Sequence, residues 1–205
     1  MRKTVRPLIL AALVAAVGPL ALHAQVDAPN VKKLGKTVAQ YKDDTVKLVV
    51  GYKWAQNNLK NKWIFLDTYI SAEGSAPVDL DREDFAMFFP DGTRVNLPSQ
   101  KRLAEGLPEI RRVMAQAQIM SDPLGGYFAG RRVEERLPFF TIPGEHIVQD
   151  RFAVNLTRLV YGELWWEAKG PVFEPGIYTL AIKNKQVDVK LPLALGIEGE
   201  LERIK

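Results

Sequence analysis

Every second side chain is apolar over long stretches of this chain, and that period constrains the fold more than any other feature of the sequence. Residues 45–54 set the pattern with the apolar series Val46, Leu48, Val50, Tyr52 and Trp54. Side chains two positions apart lie on the same face of an extended strand. The period therefore predicts a half-buried β-strand over residues 45–54.

The same period returns several times, with turn residues between the repeats. Trp63 to Ala72 is apolar on both faces, which predicts a central strand covered on both sides. Pro90-Asp91-Gly92 lies between two further apolar segments and predicts a hairpin. Alternation in the last third of the chain predicts strands at residues 152–156, 160–166, 178–182 and 187–193.

Only residues 108–120 have apolar side chains at helical spacing, and they follow Pro108, which suits the first turn of a helix. We therefore expect one α-helix inserted among the strands. Many short strands separated by turns are typical of a β-sandwich or a barrel.

Residues 174–180, Glu-Pro-Gly-Ile-Tyr-Thr-Leu, resemble the Pro-Gly-x-Tyr-x-Leu stretch that opens the penultimate strand of bacterial immunoglobulin-like domains. The resemblance covers the chain from Gly170 to Leu195. It implies a mainly β fold, an immunoglobulin-like antiparallel β-sandwich with one inserted α-helix. It also implies structural roles for Gly176 and for Tyr178, whose hydroxyl would bond to nearby backbone as in a tyrosine corner. The resemblance concerns the fold and says nothing about activity.

The N-terminal 24 residues have the three parts of a secretory signal peptide. Arg2, Lys3 and Arg6 are positively charged, and an apolar run follows from Leu8 to Val17. That run is shorter than the ~20 residues of a membrane-spanning helix. We therefore expect cleavage before Gln25 and a periplasmic or secreted protein. Residues 25–44 are polar and Lys-rich and are interpreted as an arm or linker, followed by a single β-sandwich domain over 45–205.

The composition excludes several classes of function. The chain has no cysteine, which rules out a lipid anchor and disulfides, so core packing alone must hold the domain together. Cleavage removes three basic side chains and leaves 25 basic against 24 acidic, without the basic footprint of a nucleic-acid-binding protein. The expected partner is an envelope protein or a glycan of unknown identity. We expect no nucleic acid, no cofactor and no stable membrane insertion.

The sequence contains no common catalytic or metal-binding motif. After cleavage His146 is the one histidine, and no serine lies in a Gly-x-Ser-x-Gly elbow. The densest acidic run supplies weak calcium candidates at Asp79, Asp81 and Asp84, with a polar turn as the alternative interpretation.

Two adjacent tryptophans lie among carboxylates. Neighbouring side chains on a strand point to opposite faces, so Trp166 is expected in the core. Trp165 would then share an accessible face with Glu163 and Glu167 as ligand-binding candidates, unless both rings are packing residues.

The leading interpretation is a non-enzymatic binding or interaction module of the bacterial envelope or extracellular space. The alternative is a hydrolase, acting on carbohydrate, that uses Glu163, Glu167 or His146. Against it, two carboxylates four residues apart on a strand are ~13 Å from each other, farther than glycosidases need.

We expect the exported protein to begin at or near Gln25, because charge, apolar run and the Gly18-Pro19 helix break occur in the order that signal peptidase requires. N-terminal sequencing of exported material tests this. Material that still begins at Met1 would contradict it.

Overall fold

The computed structural model describes residues 29–117, 124–128, 130, 133–142 and 147–197. These residues are mainly β, with twelve strands and two α-helices. The strands are β1 Val31–Lys33, β2 Val38–Lys42, β3 Val46–Gly51, β4 Trp63–Ala72, β5 Val78–Asp81, β6 Phe85–Phe88, β7 Arg94–Asn96, β8 Val133–Arg136, β9 Arg151–Val154, β10 Arg158–Glu167, β11 Gly176–Lys183 and β12 Asp188–Leu195. The helices are α1 Lys53–Asn57 and α2 Gln100–Ala117.

The strands form three sheets. A six-stranded sheet has the order β1-β2-β3-β4-β10-β8, a four-stranded sheet the order β12-β11-β6-β7, and β5 pairs with β9 alone. All neighbouring strands are antiparallel except β8 and β10, which run parallel. Pro192 lies within β12, an edge strand, where the missing N–H does not interrupt a central ladder.

The six-stranded and four-stranded sheets contribute to one hydrophobic core. Leu48 and Leu66 from the larger sheet and Leu180 and Leu191 from the smaller one are completely buried in it. The alternation expected in the last two strands is confirmed, because every apolar residue at the predicted core positions is buried: Tyr178, Leu180, Ile182, Val187, Val189, Leu191 and Leu193.

Strand β4 is covered on both faces, as its sequence predicted. Ile64 and Leu66 face the shared core, whereas Trp63 and Phe65 face a second cluster beneath α2. Helix and strand approach closely there, since a Cβ built on Gly106 would lie 2.5 Å from a ring carbon of Trp63. Only glycine fits at that contact.

The helical part of the sequence analysis needs two corrections. Helix α2 begins at Gln100 rather than at Pro108, and Pro108 lies inside it. Ser99 supplies the start signal, because its Oγ accepts a hydrogen bond from the Arg102 N–H at 3.3 Å. Packing of the first two turns against Trp63 outweighs the cost of an internal proline. A second helix, α1, also replaces the end of the strand predicted for residues 45–54, so β3 ends at Gly51.

The interpretation of residues 25–44 as an arm or linker is wrong for residues 31–42. These residues form β1 and β2, which extend the six-stranded sheet, and Val38, Ala39 and Tyr41 are buried. The pattern was missed because the strands are short and their lysines lie on the exposed side. The predicted cleavage site lies outside the described residues.

The hairpin predicted around Pro90-Asp91-Gly92 is confirmed as β6 and β7. Tyr178 and Gly176 both make close contacts at the start of β11. The Tyr178 hydroxyl donates a hydrogen bond to the Glu174 carbonyl oxygen at 2.7 Å, and burial raises the pKa of Tyr178 to about 12. Gly176 lies directly against Pro90, where a Cβ would clash at 2.5 Å.

No helix in the described part of the chain is long and apolar enough to cross a membrane.

We expect Tyr178→Phe to lower the free energy of unfolding by about 1 kcal/mol, because it removes the hydrogen bond from the buried tyrosine to the Glu174 carbonyl oxygen. Urea unfolding of the two proteins measures the difference. Tyr161→Phe is the control, since that half-exposed hydroxyl makes no hydrogen bond among the described residues. Equal midpoints for wild type and Tyr178→Phe would contradict the corner interpretation.

Candidate functional site

The two adjacent tryptophans are both buried, with exposed fractions of 2% for Trp165 and 0% for Trp166. Trp166 lies in the core to which both larger sheets contribute, as expected. Trp165 points to the opposite face, where its ring centroid is 5.0 Å from that of Phe65 and 5.8 Å from that of Phe140. The prediction of an accessible Trp165 is wrong, because α2 covers the second face of the sheet.

Glu167 holds α2 against the end of β10. Arg102 on the helix donates from Nε to one carboxylate oxygen at 2.7 Å and from Nη2 to the other. Lys62 Nζ lies 3.4 Å from the same carboxylate. The hydrogen bonds from Arg102 lower the pKa of the Glu167 carboxyl below its usual range. Glu167 is therefore engaged in a structural ion pair and is not available to a ligand.

Glu163 lies opposite Asp67 of β4, not beside Glu167. Residues directly opposite on antiparallel strands share a face with Cβ atoms about 4.5–5.5 Å apart. Both side chains are half-buried. Next along the same face Tyr69 stacks on Tyr161 at 5.4 Å, and burial, then the charge of Glu134, raise the pKa of Tyr69. The sequence analysis found Glu163 and missed Asp67, because strand register is a long-range property.

The carboxylates proposed as calcium ligands have other partners. Asp81 pairs with Arg151 through two hydrogen bonds, the shorter at 2.5 Å. Asp84 accepts hydrogen bonds from the Asp81 N–H and from Asn184, both at 2.9 Å, and so closes a local turn. Asp79 is exposed. In the described ranges no three acidic or histidine side chains are grouped as metal ligands. His146 lies outside those ranges.

The buried guanidinium of Arg82 binds three residues that are far apart in the sequence: Pro98, Phe139 and Asp150. Its Nε donates to Asp150 Oδ1 at 2.6 Å, its Nη1 to the Pro98 carbonyl at 2.8 Å, and its Nη2 to the Phe139 carbonyl. The guanidinium also lies 4.9 Å from the centroid of the Phe139 ring. Burial lowers the pKa of Arg82, and the Asp150 pairing opposes that effect. Arg82 thereby ties Phe139 and Asp150 to the β5–β6 connection.

A pocket of about 420 Å³ opens between β8, β9 and β10, directly beside the segment that Arg82 holds. Part of its wall is apolar, formed by Leu137, Pro138, Phe140, Phe152, Ala153 and Val160, and an equal share is polar. The ring of Phe152 packs against that of Phe139, with 5.2 Å between the ring centroids, and the ring of Phe140 packs against that of Trp165 at 5.8 Å. The apolar wall is therefore continuous with the packed interior of the protein.

Two arginines lie at the pocket. Arg158 crosses between strands, because its Nε lies 3.1 Å from Glu135 on β8 and its Nη1 donates to the Ala153 carbonyl on β9 at 3.4 Å. Arg136 is exposed and has no ion-pair partner among the described residues. With two arginines and one glutamate, the pocket carries a net positive charge. Ile147 at the same pocket is 83% exposed, unusually high for an isoleucine.

Sequence reasoning missed this pocket. Residues 127–145 have no clear period, and the only local signals were interleaved charges before Phe139-Phe140. Comparison with known protein families, curated proteins and solved structures finds no match to this chain.

Trp165→Ala and Trp166→Ala should each lower the free energy of unfolding by ~3–5 kcal/mol, the usual cost of removing a buried aromatic ring. Urea unfolding measures both, with Tyr127→Ala at an exposed ring as control. A loss for Trp165→Ala no larger than that of the control would restore Trp165 as a surface contact residue.

Proposed function

We propose that this chain is an exported, non-enzymatic binding module of the bacterial envelope or extracellular space, and that its ligand occupies the pocket between β8, β9 and β10. One observation carries the proposal. It is a concave site in which apolar side chains lie next to charged and polar ones, and small-molecule sites combine these two kinds of surface. Its volume of about 420 Å³ is within the usual range of ~300–1,000 Å³ for such sites.

The surroundings of the candidate residues from the sequence analysis support a binding module rather than a hydrolase. Trp165 is buried and Glu167 is held by Arg102, so neither is free to contact a substrate. Glu163 with Asp67 is the one arrangement that favours a carbohydrate hydrolase, since adjacent carboxyl groups at ~5–5.5 Å act as acid and nucleophile in retaining enzymes. Neither residue lies at the pocket.

We further propose that the two larger sheets are arranged as an immunoglobulin-like sandwich. Support comes from the core that they share and from the Tyr178 hydrogen bond to the backbone four residues earlier. The parallel strand β8 and the helix α2 would then be additions to that arrangement.

The binding proposal is tested with N-phenyl-1-naphthylamine, an uncharged dye whose fluorescence rises in apolar surroundings. We expect saturable binding of one dye to the purified protein. Ala153→Phe should weaken it at least about tenfold, equivalent to about 1.4 kcal/mol, because the added ring fills the pocket beside Phe152. Ala104→Phe, the same change on the exposed side of α2, should leave binding unchanged.

Equal dye binding by the two phenylalanine variants would contradict the pocket as the binding site. Hydrolysis of aryl glycosides that is lost in both Glu163→Gln and Asp67→Asn would instead establish the hydrolase.

A further inference from the structure

Strand β8 forms one edge of the six-stranded sheet, and only its inner side is paired. That side faces β10, where the Leu137 N–H donates to the Tyr161 carbonyl oxygen at 2.6 Å. Successive residues of a strand direct their backbone N–H and C=O groups to opposite sides. The backbone groups of Glu134 and Arg136 therefore point outward, and no other strand in the described part of the chain pairs with them.

The edge of β8 lacks the usual protection against pairing with another chain. Natural sheets block such pairing mainly with lysine or proline on the edge strand. Two other edges of the larger sheets follow this rule, since β1 carries Lys32 and Lys33 and β12 contains Pro192. Strand β8 has neither residue, and its charged side chains are of both signs.

We propose that β8 pairs with β8 of a second copy of this chain, in the antiparallel direction and centred on Glu135. Only residues whose backbone groups point outward can form the hydrogen-bonded pairs of such a ribbon. Centring on Glu134 would place this glutamate opposite its own copy, and centring on Arg136 would do the same for the arginine. Like charges directly opposite each other are destabilising.

The register centred on Glu135 is self-complementary in charge. It places Glu134 opposite Arg136 of the second copy, and the two-fold axis repeats this pair. Each pair exchanges two backbone hydrogen bonds and also joins side chains of opposite charge. Glu135 faces its own copy, but its charge is already balanced by Arg158, whose Nε lies 3.1 Å from the carboxylate.

The same register covers apolar surface and brings two pockets together. Val133 is 65% exposed, and it would lie opposite Leu137 of the second copy. Glu135 lines the pocket, and residues directly opposite on antiparallel strands share a face. The two pockets of the dimer would therefore open on the same side of the joint sheet, as in a bivalent binding module. The self-association itself does not depend on what the pocket binds.

Sedimentation equilibrium of the purified protein measures the self-association. We expect a monomer–dimer equilibrium that weakens as salt is raised, because the Glu134–Arg136 pairs are formed by exposed side chains. Glu134→Arg alone and Arg136→Glu alone should each weaken the dimer at least about tenfold, since both cross-strand pairs then join like charges.

An equimolar mixture of these two variants is the decisive sample. In a mixed dimer the two reversed positions face each other and the two unchanged positions face each other, so opposite charges meet in both pairs. The mixture should therefore dimerise as well as the wild type, although neither variant does so alone. Glu109→Arg and Arg111→Glu, at exposed positions two residues apart on α2, are the matched controls and should leave the dimer unchanged.

A wild-type protein that stays monomeric at about 1 mM, a concentration at which even a weak dimer forms, would overturn the proposal. A dimer that both charge reversals leave intact would overturn it too, and so would a mixture that stays as weak as its two components. Dye binding to the pocket is measured separately, and a monomer would show it equally.

Discussion

Strands β4 and β10 are paired along eight residues, from Ile70 opposite Val160 to Trp63 opposite Glu167, and both faces of this ribbon must be kept from water. On one face, Leu66, Leu164 and Trp166 belong to the core to which both larger sheets contribute. The other carries large aromatic rings, which no second sheet covers. Helix α2 and the short 3-10 turn at Leu124–Tyr127 lie over that face and cover its aromatic side chains.

The need to cover both faces of the ribbon also explains the positions of two arginines, Arg102 and Arg82. Helix α2 packs against the ribbon although it contains a proline. Arg102 holds the helix there through its hydrogen bonds to Glu167 at the end of β10. Arg82 holds the residues that precede the helix in a similar way, because it donates hydrogen bonds to the carbonyl oxygens of Pro98 and Phe139. A buried arginine is costly unless its donors are satisfied. Each nitrogen of the Arg82 guanidinium has an acceptor here, so Phe139 and Asp150 are held by hydrogen bonds to this arginine.

Local patterns were sufficient to predict β4, the β6–β7 hairpin, and the last two strands with their buried residues, because each depends on alternation within a few residues. They failed where the structure depends on contacts between residues that are far apart in the sequence. Alternation correctly placed Trp165 and Trp166 on opposite faces of the strand. The Trp165 face is also covered, however, and only the position of α2 determines this. The Asp67–Glu163 pair depends on register between strands that are far apart in sequence. The pocket depends on three segments, of which the one that contains β8 has no clear sequence period.

The pocket can be traced to a defect in sheet pairing at β10. Strand β8 accompanies β10 for only four residues, in the parallel direction, and β9 pairs with β5 instead of continuing the six-stranded sheet. A gap therefore remains between β8 and β9, and Arg158 bridges it through Glu135 and the Ala153 carbonyl. The apolar part of its wall needs no separate support, because Phe152 packs against the cluster on one face of the ribbon and Phe140 packs against the cluster on the other face. A rigid concave site thus arises without loosening the core, which is the condition for binding a small ligand with little reorganisation.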